Sequence, residues 1–86
     1  MHYAYVLLSK RDGKFYTGLT NDLKRRFQEH NSGNVESTMK RRPLDLVYYE
    51  ACLVFDDAIA REKYLKSGMG KGYLRNRLQH YGFVTG

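Results

Sequence analysis

The chain has one cysteine, one proline and no tryptophan among its 86 residues, and each scarcity removes a class of protein. The lone Cys52 excludes an internal disulfide framework and a cysteine-based zinc cage. The single Pro43 stands between two patterned segments, and no repeat, low-complexity tract or linker divides the chain. No apolar run is long enough to span a bilayer, and no charged-then-apolar signal opens the sequence, so a soluble cytoplasmic protein is expected. Acidic residues are also few. Nine Asp+Glu face fifteen Lys+Arg, a formal charge of +6.

What is present fits one folded domain over residues 1–86, since chains split into separate cores only well beyond this length. A hydrophobic fraction of 42% and a charged fraction of 28% are ordinary globular values and argue against wholesale disorder. The surplus charge attracts polyanions, chiefly through release of counterions from phosphates. It is clustered, at Lys10-Arg11, Lys24-Arg25-Arg26, Lys40-Arg41-Arg42, Arg61-Lys63-Lys66 and Lys71-Arg75-Arg77. Eight interleaved tyrosines offer faces on which unpaired bases stack. Charge alone nominates a nucleic-acid partner and says nothing about chemistry.

The opening run Tyr3-Ala4-Tyr5-Val6-Leu7-Leu8 is β-branched and aromatic, with a turn signal at Asp12-Gly13 and a second strand at Phe15-Tyr16-Thr17. Thr20-Asn21-Asp22 supplies caps for a helix carrying Leu23, Phe27 and His30, ending near Asn31-Ser32-Gly33. Residues 34–42 lack apolar periodicity and are expected to form a polar, basic loop. After Pro43, Leu44-Asp45-Leu46-Val47-Tyr48-Tyr49 predicts a third strand, apolar enough to be central. Asp56 or Asp57 caps a helix from Ala58 to about Lys66, stopped by Ser67-Gly68. Gly70-Lys71-Gly72 then predicts a hinge before a last helix holding Tyr73, Leu74, Leu78 and Tyr81. The order β-β-α-β-α-α, an α+β chain with a three-stranded antiparallel sheet and covering helices, is the smallest arrangement that hides one face of each element.

Several polar residues fall together. An even-length hairpin loop keeps Tyr5 and Tyr16 on one face; they stand directly opposite if the loop centres on Lys10-Arg11 and lie about 13 Å apart if it centres on Asp12-Gly13. Arg26 and His30 are i, i+4 neighbours on the first helix. Glu62 sits beside the apolar stripe of Ala58, Ile59 and Leu65, where a carboxylate must be paired or coordinating. Each has a structural alternative: the tyrosines and Tyr48, Tyr49, Tyr64 and Leu65 as core, Arg26 paired with Asp22 or Glu29, His30 as a satisfied helix-end side chain, Glu62 bridged to Lys66.

In this order, Tyr3-Ala4-Tyr5, Tyr16-Thr17-Gly18, Thr20-Asn21-Asp22-Leu23-Lys24-Arg25-Arg26, Glu29-His30-Asn31-Ser32-Gly33, Ser37 to Pro43 and Ala58-x-x-x-Glu62-x-x-Leu65-Lys66 resemble the GIY-YIG nuclease family. The resemblance covers essentially the whole chain and is nearest to small stand-alone bacterial members, similar to the N-terminal nuclease domain of the excinuclease C subunit. It implies a metal-dependent endonuclease acting on DNA, in repair or recombination, with RNA left open as substrate and a protein partner for targeting. Glu62 matches the metal-binding glutamate, a hard oxygen ligand suited to one Mg²⁺ or Mn²⁺. Arg26 matches the essential arginine that holds the scissile phosphate. Tyr5 and Tyr16 match the motif tyrosines, either of which could orient or deprotonate the attacking water, provided that the metal and Arg26, Lys14 or Lys24 lower a pKa near 10. His30 matches a residue that contacts tyrosine or phosphate. Lys14, Lys24, Arg25, Lys40, Arg41 and Arg42 are the expected nucleic-acid contacts. The first motif reads Tyr-Ala-Tyr in place of Gly-Ile-Tyr, Leu19 replaces a lysine of the excinuclease members, and Asn76 stands only loosely where relatives place a late asparagine. A non-catalytic nucleic-acid-binding module that keeps the fold is the alternative.

Overall fold

The computed structural model describes residues 1–81. Its elements are β1 (His2–Ser9), β2 (Phe15–Thr20), α1 (Leu23–Asn31), a 3₁₀ turn (Met39–Arg41), β3 (Leu44–Cys52), α2 (Phe55–Lys66) and α3 (Gly68–Arg77). The three strands form one antiparallel sheet in the order β2-β1-β3.

β1, not β3, is therefore the central strand, contrary to the expectation from composition. Every residue of β1 from Ala4 to Ser9 is buried, because its two alternating faces meet two different layers. Ala4 and Val6 pack with Leu65 and Leu74, against the α2–α3 side. Tyr5 and Leu7 pack with Leu44, Leu23 and Phe27, against the α1 side. Burying each large apolar side chain of this set stabilises the fold by about 1.5–3 kcal/mol. β3 has mostly half-buried residues, and Tyr49, expected in the core, is 53% exposed. A bulge leaves Val47 without a partner between the pairs Val6–Tyr48 and Leu7–Leu46.

The hairpin takes neither register considered for it. Ser9 N–H donates to the Lys14 carbonyl, Tyr5 faces Gly18 and Leu7 faces Tyr16. The loop centres between the two alternatives, so the two tyrosines share a face with a two-residue offset, about 7 Å along the strand.

α1 begins as its sequence predicts, with the Asp22 carboxylate accepting from Arg25 N–H. Its end is tied to β3 by Asn31, whose side-chain amide donates to the Leu44 carbonyl and accepts from Leu44 N–H, each at 3.1 Å. α2 starts earlier than expected. Val54 occupies the cap without a side-chain bond, and Asp56 and Asp57 lie in the first turn, where they face the positive end of the helix dipole. Gly70-Lys71-Gly72 is no hinge but part of α3, whose cap is Ser67 Oγ accepting from Gly70 N–H. A Cβ on Gly70 would sit 2.6 Å from Leu65 Cα, so the glycine permits close packing. Tyr81 lies beyond α3 and donates to Asp45.

The segment 34–42 is exposed and basic in part, yet it is not a free loop. Val35 and Thr38 are buried, and the 3₁₀ turn is fixed at both ends by side chains.

Candidate functional site

β1 delivers Tyr5 into the interior beneath α1, where it is 2% exposed, and α1 delivers His30 and Arg26 over it. The Tyr5 ring lies across Gly18 on the neighbouring strand. A Cβ there would come within 2.9 Å of Tyr5 Cε1 and closer still to the hydroxyl, so the absence of a side chain makes room for the phenol. Tyr5 Oη is 2.7 Å from His30 Nε2, and His30 Nδ1 is 2.7 Å from Thr38 Oγ1. Arg26 Nε donates to Tyr5 Oη at 3.4 Å, and its Nη1 donates to Glu29 at 3.2 Å.

This chain fixes the tautomer. A buried phenol needs an acceptor for its hydrogen, and His30 Nε2 is the one within reach, which leaves Nδ1 to donate to Thr38. The imidazole is therefore neutral. Burial, reinforced by the Arg26 charge, pulls the His30 pKa down to about 4. Burial raises that of Tyr5 above the ordinary value near 10; Arg26 opposes the shift without cancelling it, and Tyr16 and Glu62 add to it by repulsion. The guanidinium alone does not lower it, because desolvation outweighs its charge.

Tyr16 is partly exposed, with its ring edge-on to His30 at 5.2 Å between centroids, and its hydroxyl accepts from Ser37 at 3.4 Å. Glu62 joins the group through its field alone, on a helix that covers the other face of the sheet. Its ion pair is with Lys66 at 3.3 Å, and its side chain is 20% exposed. Among the described residues no three His, Cys, Asp or Glu side chains come together, and Glu62 is the carboxylate that the resemblance nominates as a hard ligand. That donor set fits an ion completed by waters and phosphate oxygens, as Mg²⁺ sites commonly are.

Arg26 keeps most of its hydrogen-bonding capacity. Its side chain is 35% exposed and commits two of five N–H donors, so three remain for a ligand.

The expected nucleic-acid contacts divide into two kinds. Lys14, Lys24, Arg25 and Lys40 are exposed. Arg41 is a clamp: it donates to Asp12 at 2.8 Å and to the carbonyls of Lys14 and Phe15, holding Asp12 ionised with a pKa lowered to about 2. Arg42 donates to the carbonyls of Met39 and Asn31. Asn76 is exposed on α3 and joins none of these contacts. Thr38 and Ser37 carry contacts that the sequence alone does not assign. They lie in the run from Ser37 to Pro43, but no spacing rule points a threonine at a histidine eight residues away.

Known proteins resemble this chain. The family described as the GIY-YIG catalytic domain matches residues 1–78. A UPF0213 protein of Bacillus pumilus is 42% identical over 67 residues, 77% of this chain and 67% of the relative. One from Clostridium perfringens is also 42% identical over 67 residues, 77% of this chain and 71% of that protein. The solution NMR structure of a UPF0213 protein from Bacillus halodurans is 37% identical, with a TM-score of 0.56 over 88% of this chain and 83% of the other.

Proposed function

The chain belongs to the GIY-YIG catalytic-domain family, and from that premise we propose that it is a divalent-metal-dependent endonuclease that hydrolyses phosphodiester bonds in DNA. The observation that carries this is the Arg26 guanidinium, anchored on two sides by Tyr5 and Glu29 and open on the third. Anchoring on both sides leaves a pre-aimed fork of donors, the arrangement that grips a phosphate and offsets charge growing on it.

In this mechanism the scissile phosphate rests on Arg26. Water attacks phosphorus in line with the departing oxygen; the new P–O bond forms, the old one breaks, the attacking water gives up a proton to solvent, and the leaving oxygen takes one from it. Tyr16, partly exposed and with one lone pair on Ser37, orients the attacking water. Tyr5 is enclosed and holds Arg26 in place through its oxygen, and the neutral His30 and Thr38 hold Tyr5. Glu62 would hold one Mg²⁺ or Mn²⁺, exchanging its contact with Lys66 for the ion. Such an ion supplies Lewis-acid charge to the phosphate oxygens. The exposed Lys24, Arg25 and Lys40 supply sequence-independent backbone contacts.

A non-catalytic nucleic-acid-binding module is the second reading, and the Glu62–Lys66 ion pair favours it, since it already satisfies the carboxylate. Purified protein and its Glu62→Gln and Arg26→Ala variants, challenged with labelled linear and branched nucleic acids with and without Mn²⁺, separate the two. Cleavage that needs the ion and is lost in both variants, with binding in chelator kept by Glu62→Gln, is the expected result. Binding without cleavage of any substrate assigns the module; cleavage retained by Glu62→Gln removes the proposed role of that carboxylate.

A further inference from the structure

A cavity of about 450 Å³ opens where the hairpin loop meets α3, away from the Tyr5–His30 chain. Lys14, Phe15, Arg41, Lys71 and Arg75 line it, together with Asp12. Three separate elements supply the cations: the hairpin, the 3₁₀ turn and α3. Lys71 and Arg75 are i, i+4 neighbours and project from one face of their helix.

The charge balance is one-sided. Asp12 is neutralised by Arg41 at 2.8 Å, whereas no carboxylate among the described residues pairs with Lys14, Lys71 or Arg75. Three uncompensated cations around one cavity repel one another, and an anion relieves that repulsion. Phe15 adds an apolar wall. Lys14, Lys71 and Arg75 are exposed, which suits a groove that an extended strand enters rather than an enclosure for a small anion.

The loop that carries Arg41 also reaches the candidate site. Ser37 touches Tyr16, Thr38 touches His30, and Arg41 borders the cavity one 3₁₀ turn later, a rise of about 6 Å. Cavity and site are thus successive stations along one short segment.

We propose that this cavity is a second backbone grip, holding phosphates of the nucleic-acid strand a short distance from the bond at Arg26. The proposal rests on the nuclease reading for its substrate class, and its test does not require cleavage. Binding of a labelled oligonucleotide is measured in chelator across a salt series for the wild type, for Lys71→Gln/Arg75→Gln, and for the charge-matched control Lys63→Gln/Arg77→Gln.

Each lost phosphate contact lowers the slope of log K against log salt by about 0.7 for single strands and 0.9 for duplex. The cavity variant should lose about 1.4–1.8 from the slope and roughly tenfold or more in affinity at 0.1 M salt. The control should keep the wild-type slope. Neither Lys71 nor Arg75 makes a polar side-chain contact among the described residues, so the melting temperature of the variant should match that of the wild type. Equal slopes in all three proteins, or no binding by the wild type, overturn the proposal. So does displacement of the oligonucleotide by inorganic phosphate beyond its ionic strength in the wild type alone, which would assign a small-anion site. A wild type that binds with the cavity-dependent slope but never cleaves would retire the nuclease mechanism and leave the grip standing.

Discussion

The two faces of the central strand solve opposite problems. On the α2–α3 face, Ala4 and Val6 meet Leu65 and Leu74, and close packing suffices. On the α1 face, Tyr5 meets His30 and Arg26, His30 meets Thr38, and buried polar groups must be satisfied one by one. Among the described residues no enclosed side-chain nitrogen or oxygen is left without a partner. An unsatisfied group there would cost about 1–3 kcal/mol. Leucine in place of those polar residues would cover the strand with far less specification. A fold that maintains a satisfied polar chain beside an equally available apolar solution sets the α1 face apart from the packed one.

That contrast can be broken most forcefully from the apolar side. Leu65→Ala removes a fully buried side chain and should destabilise the protein by about 2–5 kcal/mol, lowering the melting temperature by roughly 10 °C or more. A shift of only a degree or two would mean that this face tolerates voids and is not the packed scaffold.

The polar face should instead betray itself through pH. The folded-state pKa of His30 is depressed to about 4 from an unfolded value near 6.5, so the unfolded chain binds the extra proton between those limits. Stability is fully present above about pH 6.5 and declines as pH falls towards 4, by about 3 kcal/mol in all. Denaturant titrations of the wild type and His30→Gln between pH 5 and 7 test this: the wild type should weaken on acidification and the variant should weaken much less. Parallel curves would place the titration elsewhere.

A smaller effect sharpens the boundary between the faces. At the rim of the apolar side, Glu50 accepts twice from Arg61, at 2.7 and 2.9 Å, and this holds its carboxyl pKa below the usual range. The guanidinium also lies over Tyr64 at 4.7 Å. Because Arg61 is more than a third exposed, Glu50→Gln should cost only about 1 kcal/mol, read as a shift in denaturant midpoint. Lys10→Gln, which removes an exposed pair with Asp45, should move that midpoint by less than about 0.5 kcal/mol.

Local chemistry made much of this legible. The Asp22 cap, the termination of α1 around Asn31 and the stop of α2 at Lys66 follow from residues adjacent in sequence. The co-location of Arg26 and His30 follows from helix geometry. What escaped was set by long-range pairing. Leu44 to Tyr49 is as apolar as a central strand, but edge or centre is decided by partners elsewhere in the chain. The hairpin register depended on which of several even-length loops formed around Asp12, and Ser9, buried and accepting from Arg11 and Asp12, selects the intermediate one. Arg41 looked like an outward cation because its acceptor, Asp12, lies twenty-nine positions earlier. Thr38 was visible only as part of a run, since its role exists only once α1 has folded over it.

Ser67 ends α2 and begins α3 as a single shared residue, its N–H on the Tyr64 carbonyl and its hydroxyl oxygen serving both helices. A corner with no spare residues has no slack. Lys71 and Arg75 therefore stand on a helix joined without any linker to the one that carries Glu62, and their placement relative to that carboxylate is set by one residue.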